Sequence, residues 1–224
     1  MQLYEIGTLH LNSQSIARRL RVLDLQQVNK LMELAQRVIE PKVAFQTCYV
    51  NNKSAESVSI DGVRFKSRVL RGNLDKVGRV FPFVLTIGAA LDALIAKTGD
   101  VIEKYFLGEI ANIALNETRR GFENHLRTKY ALERISCMTP GSLQDWPIEG
   151  QKDLFTLLPD VETAVGVRLT GNLLMQPSKS VSGIYFPSKV SFFSCQLCPR
   201  RLCDDRKARY DEAMVRDYGA PKNE

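Results

Sequence analysis

The sequence predicts an α+β fold in which an antiparallel sheet packs against several helices. Three observations favour this class: strand-like and helical patterns follow one another without regular alternation, a hairpin signal lies early in the chain, and one very long amphipathic helix lies in the middle. The 224 residues are enough to bury a sizeable core in one large domain or two small ones.

The N-terminal part of the sequence predicts a helix, a strand and a hairpin. Apolar residues recur at helical spacing from 13 to 39, and Pro41 ends this pattern. The apolar run at 43–50 is typical of a strand. Alternating runs on either side of Asp61 and Gly62 indicate a β-hairpin, because this dipeptide favours a tight two-residue turn.

The central part predicts a strand and two helices. The run "RVFPFVLTIG" at 79–88 is typical of a strand, and a short helix is expected at 89–97. The longest helix is expected from Val101 to Tyr130, with Asp100 as its N-cap.

Glu117 lies in line with the apolar stripe of this long helix. Because burial of an unpaired carboxylate is costly, two interpretations remain open. Either the helix end is exposed and Glu117 is solvated, or Glu117 points into a pocket and meets a cationic group.

The second half of the sequence is dense in turn formers and strand-like runs. The stretch 139–151 contains the only tryptophan, Trp146, which is more typical of a packing anchor than of a cofactor contact. A short helix is expected up to Pro159, strand-like structure from 165 to 194, and a polar helix from 204 to 217.

Charge and hydropathy exclude some classes of partner. The net charge is +6, but the basic residues are scattered and do not form a stripe with interleaved aromatic residues, which argues against nucleic acid and leaves room for an acidic protein partner. The start of the sequence lacks a signal-peptide pattern. The most apolar stretch, 80–96, is too short to span a bilayer. We therefore expect a cytoplasmic protein that does not enter a membrane.

Three of the five cysteines, Cys195, Cys198 and Cys203, lie within nine positions as C-x2-C-x4-C. In a reducing compartment such a cluster favours a metal site over disulfides, and an odd number of cysteines argues against full pairing. A Cys-x2-Cys loop serves iron–sulfur clusters and zinc alike. We predict an iron–sulfur cluster, of the [4Fe–4S] type; structural zinc and unligated thiols are the alternatives.

A complete site of this kind needs a fourth ligand. Cys137 is the first candidate and Cys48 the second, and an external ligand is also possible. His10 and His125 are the only histidines, which excludes a histidine-rich metal site. The nearby Arg200, Arg201 and Arg206 either offset the negative charge of a thiolate-bound cluster or are ordinary surface residues.

One stretch carries a resemblance to a known family. The sequence "PGSLQDWPIEGQKDLFTLL…GVRLTGNLLMQPSKSVSGIYF" contains a Pro140-Gly141 turn, a short helix, and a segment that ends in Ser180-Val181-Ser182-Gly183. In these features it resembles the activation (reactivation) domain of cobalamin-dependent methionine synthase, and more closely its free-standing relatives from anaerobic bacteria. The resemblance is clear over about 140–186 and weaker from about 80 to 135.

The resemblance implies a role in the repair of a corrinoid enzyme. When the cobalt(I) corrinoid of a methyltransferase is oxidised to cobalt(II), the activation domain docks over the corrin, binds S-adenosylmethionine and supports reductive methylation. The partner is then a corrinoid protein or methionine synthase, and the cobalamin belongs to that partner. The resemblance also implies that Pro140, Gly141, Lys179, Ser180, Ser182 and Gly183 lie in loops that face the corrin or the nucleoside, and that Glu117 meets the ammonium of the ligand.

The sequence departs from the family pattern at the Pro-Gly turn. The family has an arginine three residues before the proline, which binds the methionine carboxylate, and a tyrosine after the glycine. Here these positions hold Cys137 and Ser142. A thiol cannot replace a guanidinium fork, so the sequence argues against S-adenosylmethionine binding.

We divide the chain into an N-terminal helix and hairpin region at 1–75, an activation-domain-like core at 76–194, and a cysteine loop with a terminal helix at 195–224; together they are expected to form one compact unit. We expect an accessory protein that reduces the cobalt(II) corrinoid of a methyltransferase through its own iron–sulfur cluster. The alternatives are a module that binds S-adenosylmethionine or a corrinoid and has only structural zinc, and an assembly factor for a methyltransferase complex.

Overall fold

A computed structural model of the chain describes residues 1–7, 9, 11–203 and 206–218. The helices are α1 (Ser13–Leu20), α2 (Leu25–Gln36), α3 (Arg68–Asn73), α4 (Ala90–Lys97), α5 (Val101–Lys129), α6 (Gly150–Thr156), α7 (Val161–Val165) and α8 (Glu212–Tyr218). The strands are β1 (Gln2–Glu5), β2 (Lys42–Phe45), β3 (Cys48–Lys53), β4 (Ser57–Ile60), β5 (Val63–Lys66), β6 (Arg79–Thr86), β7 (Ile135–Met138), β8 (Arg168–Leu169), β9 (Met175–Gln176) and β10 (Ser180–Pro187).

Strand β6 is the centre of the sheet into which eight of the described strands pair, all of them antiparallel. Leu85 of β6 pairs with Val43 of β2 on one side and with Val181 of β10 on the other. Strand β10 then pairs with β7, which lies at the end of this branch. The predicted α+β class, with an antiparallel sheet and packed helices, is therefore confirmed.

Both faces of β6 are covered, because successive side chains of a strand point to opposite faces. Phe81, Phe83 and Leu85 pack in one cluster with Phe122 of α5. Val80 and Val84 belong to the cluster on the other face, which also contains the fully buried Trp146. The placement of Trp146 in this cluster agrees with its interpretation as a packing anchor.

The single helix expected at 13–39 is wrong, since α1 and α2 are separate helices. Arg21 adopts a left-handed backbone conformation (φ 56°) that ends α1. The Asp24 side chain then accepts hydrogen bonds from the backbone N–H groups of Gln26 (2.9 Å) and Gln27 (3.1 Å), which begins α2. The expected strand at 43–50 likewise divides into β2 and β3.

Other local predictions are confirmed. Asp61 and Gly62, with φ angles of 44° and 85°, form the turn between β4 and β5. The Asp100 side chain accepts a 2.8 Å hydrogen bond from the backbone N–H of Glu103 and so caps α5. The polar helix expected at 204–217 begins only at Glu212, and residues 204 and 205 lie outside the described residues, as does His10.

Strands from the first and second predicted regions pair in the same sheet, and Leu197 and Val215 from the third belong to the core cluster around Trp146. The boundaries between these regions stay a prediction. In the described parts of the chain, no helix combines the length and the apolar character that crossing a membrane requires.

Candidate functional site

A cavity of about 350 Å³ lies beside the C-terminal half of α5, and we refer to it as the α5 cavity. Its walls come from α5, β7, β10 and the segment 191–195, and Lys207 also lines it. Two of the predicted metal ligands, Cys137 and Cys195, both line this cavity although they are distant in sequence.

The strand register explains how three side chains meet here. Cys137 of β7 pairs directly with Tyr185 of β10, so both side chains lie on the sheet face that packs against α5. Arg119 of α5 lies above them, and its Nε donates a 3.1 Å hydrogen bond to the Tyr185 hydroxyl. The Tyr185 side chain is almost completely buried.

Arg119 and Cys137 influence each other electrostatically. The Cys137 sulfur is the largest of the causes that raise the pKa of Arg119 above its ordinary value, so the guanidinium is always charged. Burial raises the pKa of the Cys137 thiol, and the Arg119 guanidinium acts in the opposite direction. Arg119 therefore stabilises negative charge on a group that burial alone would keep neutral.

Lys207 brings a second cation to the cavity. Its pKa is lowered, first by partial burial and then by the nearby Arg119 guanidinium, while Cys137 and Cys195 act to raise it. In the part of the chain that the structure describes, no carboxylate lies within 4.0 Å of either cation, and Glu123 is the acidic residue of the lining. This balance favours an anionic group inside the α5 cavity.

The cysteine-rich segment 194–203 begins with a 3-10 turn and continues as a loop. Cys195 and Cys198 are partly buried, Cys203 is exposed, and all five cysteines of the chain are free thiols. The backbone N–H of Lys207 donates to the Cys195 sulfur at 3.5 Å. Among the described residues, no group of three or more His, Cys, Asp or Glu side chains is placed to hold one metal ion.

Cys48, the second candidate for the fourth ligand, lies in the core. Its side chain is fully buried in the cluster around Trp146, and it does not line the α5 cavity. Burial, together with the nearby Asp61, raises the pKa of this thiol to about 12. The thiol is therefore neutral at ordinary pH and has the properties of a core residue.

Glu117 forms an ion pair with Arg120, a largely exposed residue three positions further along the same helix, so its predicted role in a pocket stays a prediction. It accepts a 2.6 Å salt bridge from Arg120, and about a third of its side chain is exposed. It lines a smaller cavity of about 230 Å³ that shares Arg119 and Lys207 with the α5 cavity. Its proposed contact with a ligand ammonium stays a prediction.

The turn at Pro140 and Gly141 follows β7 directly and borders the α5 cavity through Thr139 and Ser142, which line it. Gly141 has a φ of +82°, and its N–H donates a 2.8 Å hydrogen bond to the carbonyl of Trp146. A glycine suits this position because few other residues adopt a positive φ without strain.

The expected loop at Lys179–Gly183 is wrong in its conformation, because Ser180, Ser182 and Gly183 lie in β10. The Ser180 hydroxyl donates to the Pro177 carbonyl (2.8 Å), and the Ser182 hydroxyl contacts Gln151 (3.4 Å). These hydroxyls are buried and satisfied within the fold. Their binding roles stay predictions.

Lys179 and Gly183 make contacts within the protein. The ammonium of Lys179 donates a 2.7 Å hydrogen bond to the Asn112 side chain of α5. A Cβ on Gly183 would lie 2.6 Å from the Met138 carbonyl oxygen. The close approach of β7 therefore explains why this position holds a glycine.

Residues 126–211, which include β7, the Pro-Gly turn, β10 and the cysteine-rich segment, match a family model described as "Vitamin B12 dependent methionine synthase, activation domain". The resemblance predicted from the sequence is confirmed. Most of the residues that line the α5 cavity therefore lie in the part of the chain that matches this family model.

A search of solved structures adds support for the fold. The chain is similar to the structure "Crystal Structure of the MetH Reactivation Domain bound to AdoHcy", with 15% sequence identity and a TM-score of 0.59. The similarity covers 98% of this chain and 86% of that chain. No curated protein sequence matches the chain.

Sequence reasoning missed Arg119, Tyr185 and Lys207. Arg119 and Arg120 are neighbours in the sequence and look alike there, but adjacent helical residues point about 100° apart, and of the two only Arg120 is exposed. The helical spacing could have indicated that Arg119 faces the sheet, since it lies three residues before the buried Phe122 and therefore on the same face of the helix. The Cys137–Tyr185 pairing had no such local signal, because it depends on strand register.

Proposed function

We propose that this protein supports the reactivation of a corrinoid-dependent methyltransferase and that it binds an S-adenosyl ligand in the α5 cavity. The observation that carries the proposal is the position of Arg119 beside Cys137. In the resembled family an arginine that binds the ligand carboxylate stands at the position of Cys137. In this chain Arg119 of α5 brings a guanidinium to the same place in space.

The chemistry of the cavity suits a ligand with a carboxylate. Arg119 presents a guanidinium that is partly buried and always charged, and Lys207 adds an ammonium at the edge of the same space. Hydrogen bonds between a guanidinium and a carboxylate are short and strong, especially where water is restricted. The MetH reactivation domain to which this chain is similar was crystallised with AdoHcy bound. That AdoHcy or S-adenosylmethionine also binds to this chain is part of the proposal.

In this proposal the corrinoid is held by a partner protein. When bound to its partner, the cobalt corrinoid would supply the methyl acceptor: it would take one electron from a separate reductant and the methyl group from S-adenosylmethionine, which would be released as S-adenosylhomocysteine. The residues of this chain bind and orient the methyl donor. A cytoplasmic location, expected from the sequence, belongs to the same proposal.

Calorimetry with S-adenosylhomocysteine tests the ligand site. The substitution Arg119→Gln removes the guanidinium and should weaken binding about tenfold or more, as expected for a charged hydrogen bond. Arg127→Gln is the matched control, because Arg127 lies on the same helix but outside the cavity and contacts the Glu133 carbonyl. Equal binding by wild type and Arg119→Gln contradicts the proposal.

A second candidate function is electron donation through an iron–sulfur cluster held by Cys137, Cys195, Cys198 and Cys203. It is favoured by the shared position of Cys137 and Cys195 in one cavity, with two cations that offset thiolate charge. The backbone N–H directed at the Cys195 sulfur is of the kind that supports bound thiolates. As placed, the residues do not form a complete site, since Cys198 and Cys203 must join the other two.

Iron, sulfide and zinc analysis of anaerobically prepared protein separates the two candidates. If the protein binds a cluster, we expect stoichiometric iron and sulfide in the wild type. The iron and sulfide contents should fall when any of the four predicted ligands is changed to serine, and should be unchanged in Cys48→Ser. One zinc without iron supports the structural alternative. If the protein binds S-adenosylhomocysteine but contains neither iron nor zinc, the S-adenosyl ligand site is supported and electron donation through a cluster is excluded.

The activity itself can be measured with a methionine synthase that lacks its own activation domain and holds cobalt(II) cobalamin. We expect this chain to accelerate formation of methylcobalamin in the presence of a reductant and S-adenosylmethionine. Acceleration without added S-adenosylmethionine, measured as cobalt(I), favours the electron-donor candidate. Failure with several corrinoid proteins contradicts both.

A further inference from the structure

A second cavity, of about 740 Å³, lies beside α8, and we refer to it as the α8 groove. Its walls come from the end of α3 and the segment that follows it, the turn after α5, the end of β10 with the segment that follows it, and α8. Among the described residues, only Ser191 and Phe192 line both this groove and the α5 cavity. The α8 groove is therefore a separate space that the proposed function does not use.

Aromatic side chains form a fixed apolar part of the lining. Phe186 and Phe192 are buried, and the Phe192 ring meets the Tyr218 ring edge to face, with 6.1 Å between the ring centroids. The Tyr218 ring also packs closely on α3, where a Cβ on Gly72 would lie 2.6 Å from the Cε1 atom of the ring. Because this packing leaves the rings little freedom, an apolar surface is in place before any ligand binds.

Positive charge accompanies this apolar surface. Lys76, Arg134 and Lys189 line the groove, and each of them is exposed. In the described ranges of the chain, no carboxylate lies within 4.0 Å of the charged groups of these three residues. The lining also contains two acidic residues, but Asp75 already forms a 2.8 Å salt bridge with an arginine of α3, which leaves Glu133. The lining therefore carries an excess of positive charge.

Hydrogen bonds hold Arg134 and Lys189 beside each other. The Nη1 of Arg134 donates a 3.2 Å hydrogen bond to the Lys189 carbonyl, and the backbone N–H of Ser188 donates one of 3.2 Å to the Arg134 carbonyl. Lys76 belongs to the segment between α3 and β6, which is distant from both in sequence. Cations from different parts of the chain thus converge on one apolar space, which is the arrangement expected of a site for an anion with an apolar body.

We propose that the α8 groove binds a small organic anion that carries an aromatic ring. The ring packs against Phe192 and Tyr218, and the anionic group, which is a carboxylate, sulfonate or phosphate, binds the cationic groups of Arg134 and Lys189. A volume of about 740 Å³ lies in the range of small-molecule sites, which are mostly apolar and contain a few polar groups that orient the ligand. The excess of positive charge favours an anionic ring compound over a neutral or cationic one.

The test uses anilinonaphthalene sulfonate, a fluorescent aromatic anion, titrated into the full folded chain. We expect saturable binding, measured by fluorescence and calorimetry. The double variant Lys76→Gln/Lys189→Gln should weaken this binding about fivefold, because exposed charges each contribute modestly. Lys66→Gln/Lys152→Gln is the matched control, since it removes the same net charge from two exposed lysines outside the groove and should bind the probe as the wild type does.

Two further comparisons separate the anionic contact from the apolar one. Phenylnaphthylamine has the same rings without the sulfonate, so its affinity should be equal in the wild type and in Lys76→Gln/Lys189→Gln. Tyr218→Leu keeps an apolar side chain but removes the ring, and it should weaken binding of the charged probe about threefold or more. If the double variant weakens both probes equally, the lysines do not bind the anion, and wild-type affinity in Tyr218→Leu contradicts the ring contact.

The α5 cavity also contains cations, so the position of the probe needs its own control. Arg119→Gln alters the α5 cavity and should leave probe binding unchanged. Loss of binding in Arg119→Gln but not in Lys76→Gln/Lys189→Gln overturns the proposal, as does a wild type without saturable binding. The S-adenosyl ligand site is tested by Arg119→Gln with a different ligand, so the two proposals fail independently.

Thermal unfolding of each variant distinguishes a local effect from a loss of the fold. Both lysines of the double variant are exposed, so their substitution should leave the fold intact. If Tyr218→Leu does not fold, the double variant and its matched control still decide whether the groove binds the anionic probe.

Discussion

The Nε of Arg119 donates a 3.1 Å hydrogen bond to the hydroxyl of Tyr185, the residue that β10 places directly opposite Cys137. This contact joins the long helix to the sheet at the α5 cavity. It also holds the guanidinium over the thiol, so the same bond contributes both to stability and to the electrostatics of the cavity.

Removing the Tyr185 hydroxyl should therefore destabilise the protein. We expect Tyr185→Phe to lower the free energy of unfolding by about 1–3 kcal/mol, because a buried bond to a charged group is lost while the ring stays packed. Urea denaturation measures the change. Tyr105→Phe, at a largely exposed position on α5, is the control and should differ from wild type by less than about 0.5 kcal/mol.

The alkylation of Cys137 should depend on both pH and Arg119. Burial raises the pKa of this thiol and Arg119 opposes the rise, so Arg119→Gln should move the midpoint of its rate–pH profile upward. Site-resolved mass spectrometry after brief iodoacetamide treatment measures this midpoint. A downward movement, or none, means that the guanidinium does not stabilise the thiolate.

Stability should fall in alkaline solution partly because of Cys48. Its pKa is raised from 9.0 to about 12, so the folded state holds a proton that the unfolded chain releases above pH 9. The contribution is fully present below pH 9 and is lost as the pH rises toward 12. Cys48→Ala should therefore show a smaller decrease in unfolding free energy between these values than wild type, whatever its stability at neutral pH.

Two glycines should respond to alanine in opposite ways. In Gly183→Ala, the new Cβ would meet the Met138 carbonyl and the Thr139 methyl group at 2.6 and 2.9 Å, and we expect a loss of about 1–3 kcal/mol. In Gly108→Ala, within α5, nothing lies within 4 Å of the new Cβ, and we expect a gain of about 0.5–1 kcal/mol. Thermal unfolding of both variants checks the signs, and a stable Gly183→Ala contradicts the close strand approach.

Local sequence signals predicted much of the fold. The Asp61-Gly62 turn and the Asp100 cap are formed by neighbouring residues, so their patterns identify them directly. The break between α1 and α2 was missed because the apolar spacing continues through it, although Asp24 is a typical N-cap residue.

Features that depend on distant contacts could not be predicted. Asp145 caps α3 by accepting from the N–H groups of Arg68 (3.1 Å) and Val69 (3.0 Å), residues far away in sequence. Cys137 and Cys195 both line the α5 cavity, but their role as metal ligands stays a prediction. The sequence pattern did not indicate that Arg119 would accompany them, because that depends on how α5 rotates over β7 and β10.

The wall that Cys195 and Lys207 supply comes from chain that follows every strand of the sheet. During synthesis the segments that form the sheet leave the ribosome before this wall does, because the chain emerges from its N-terminal end. A ribosome-bound intermediate would then expose the Cys137 thiol and the Arg119 charge to bulk solvent. The α5 cavity can therefore close only after synthesis has passed Lys207, which makes its completion a late step of folding.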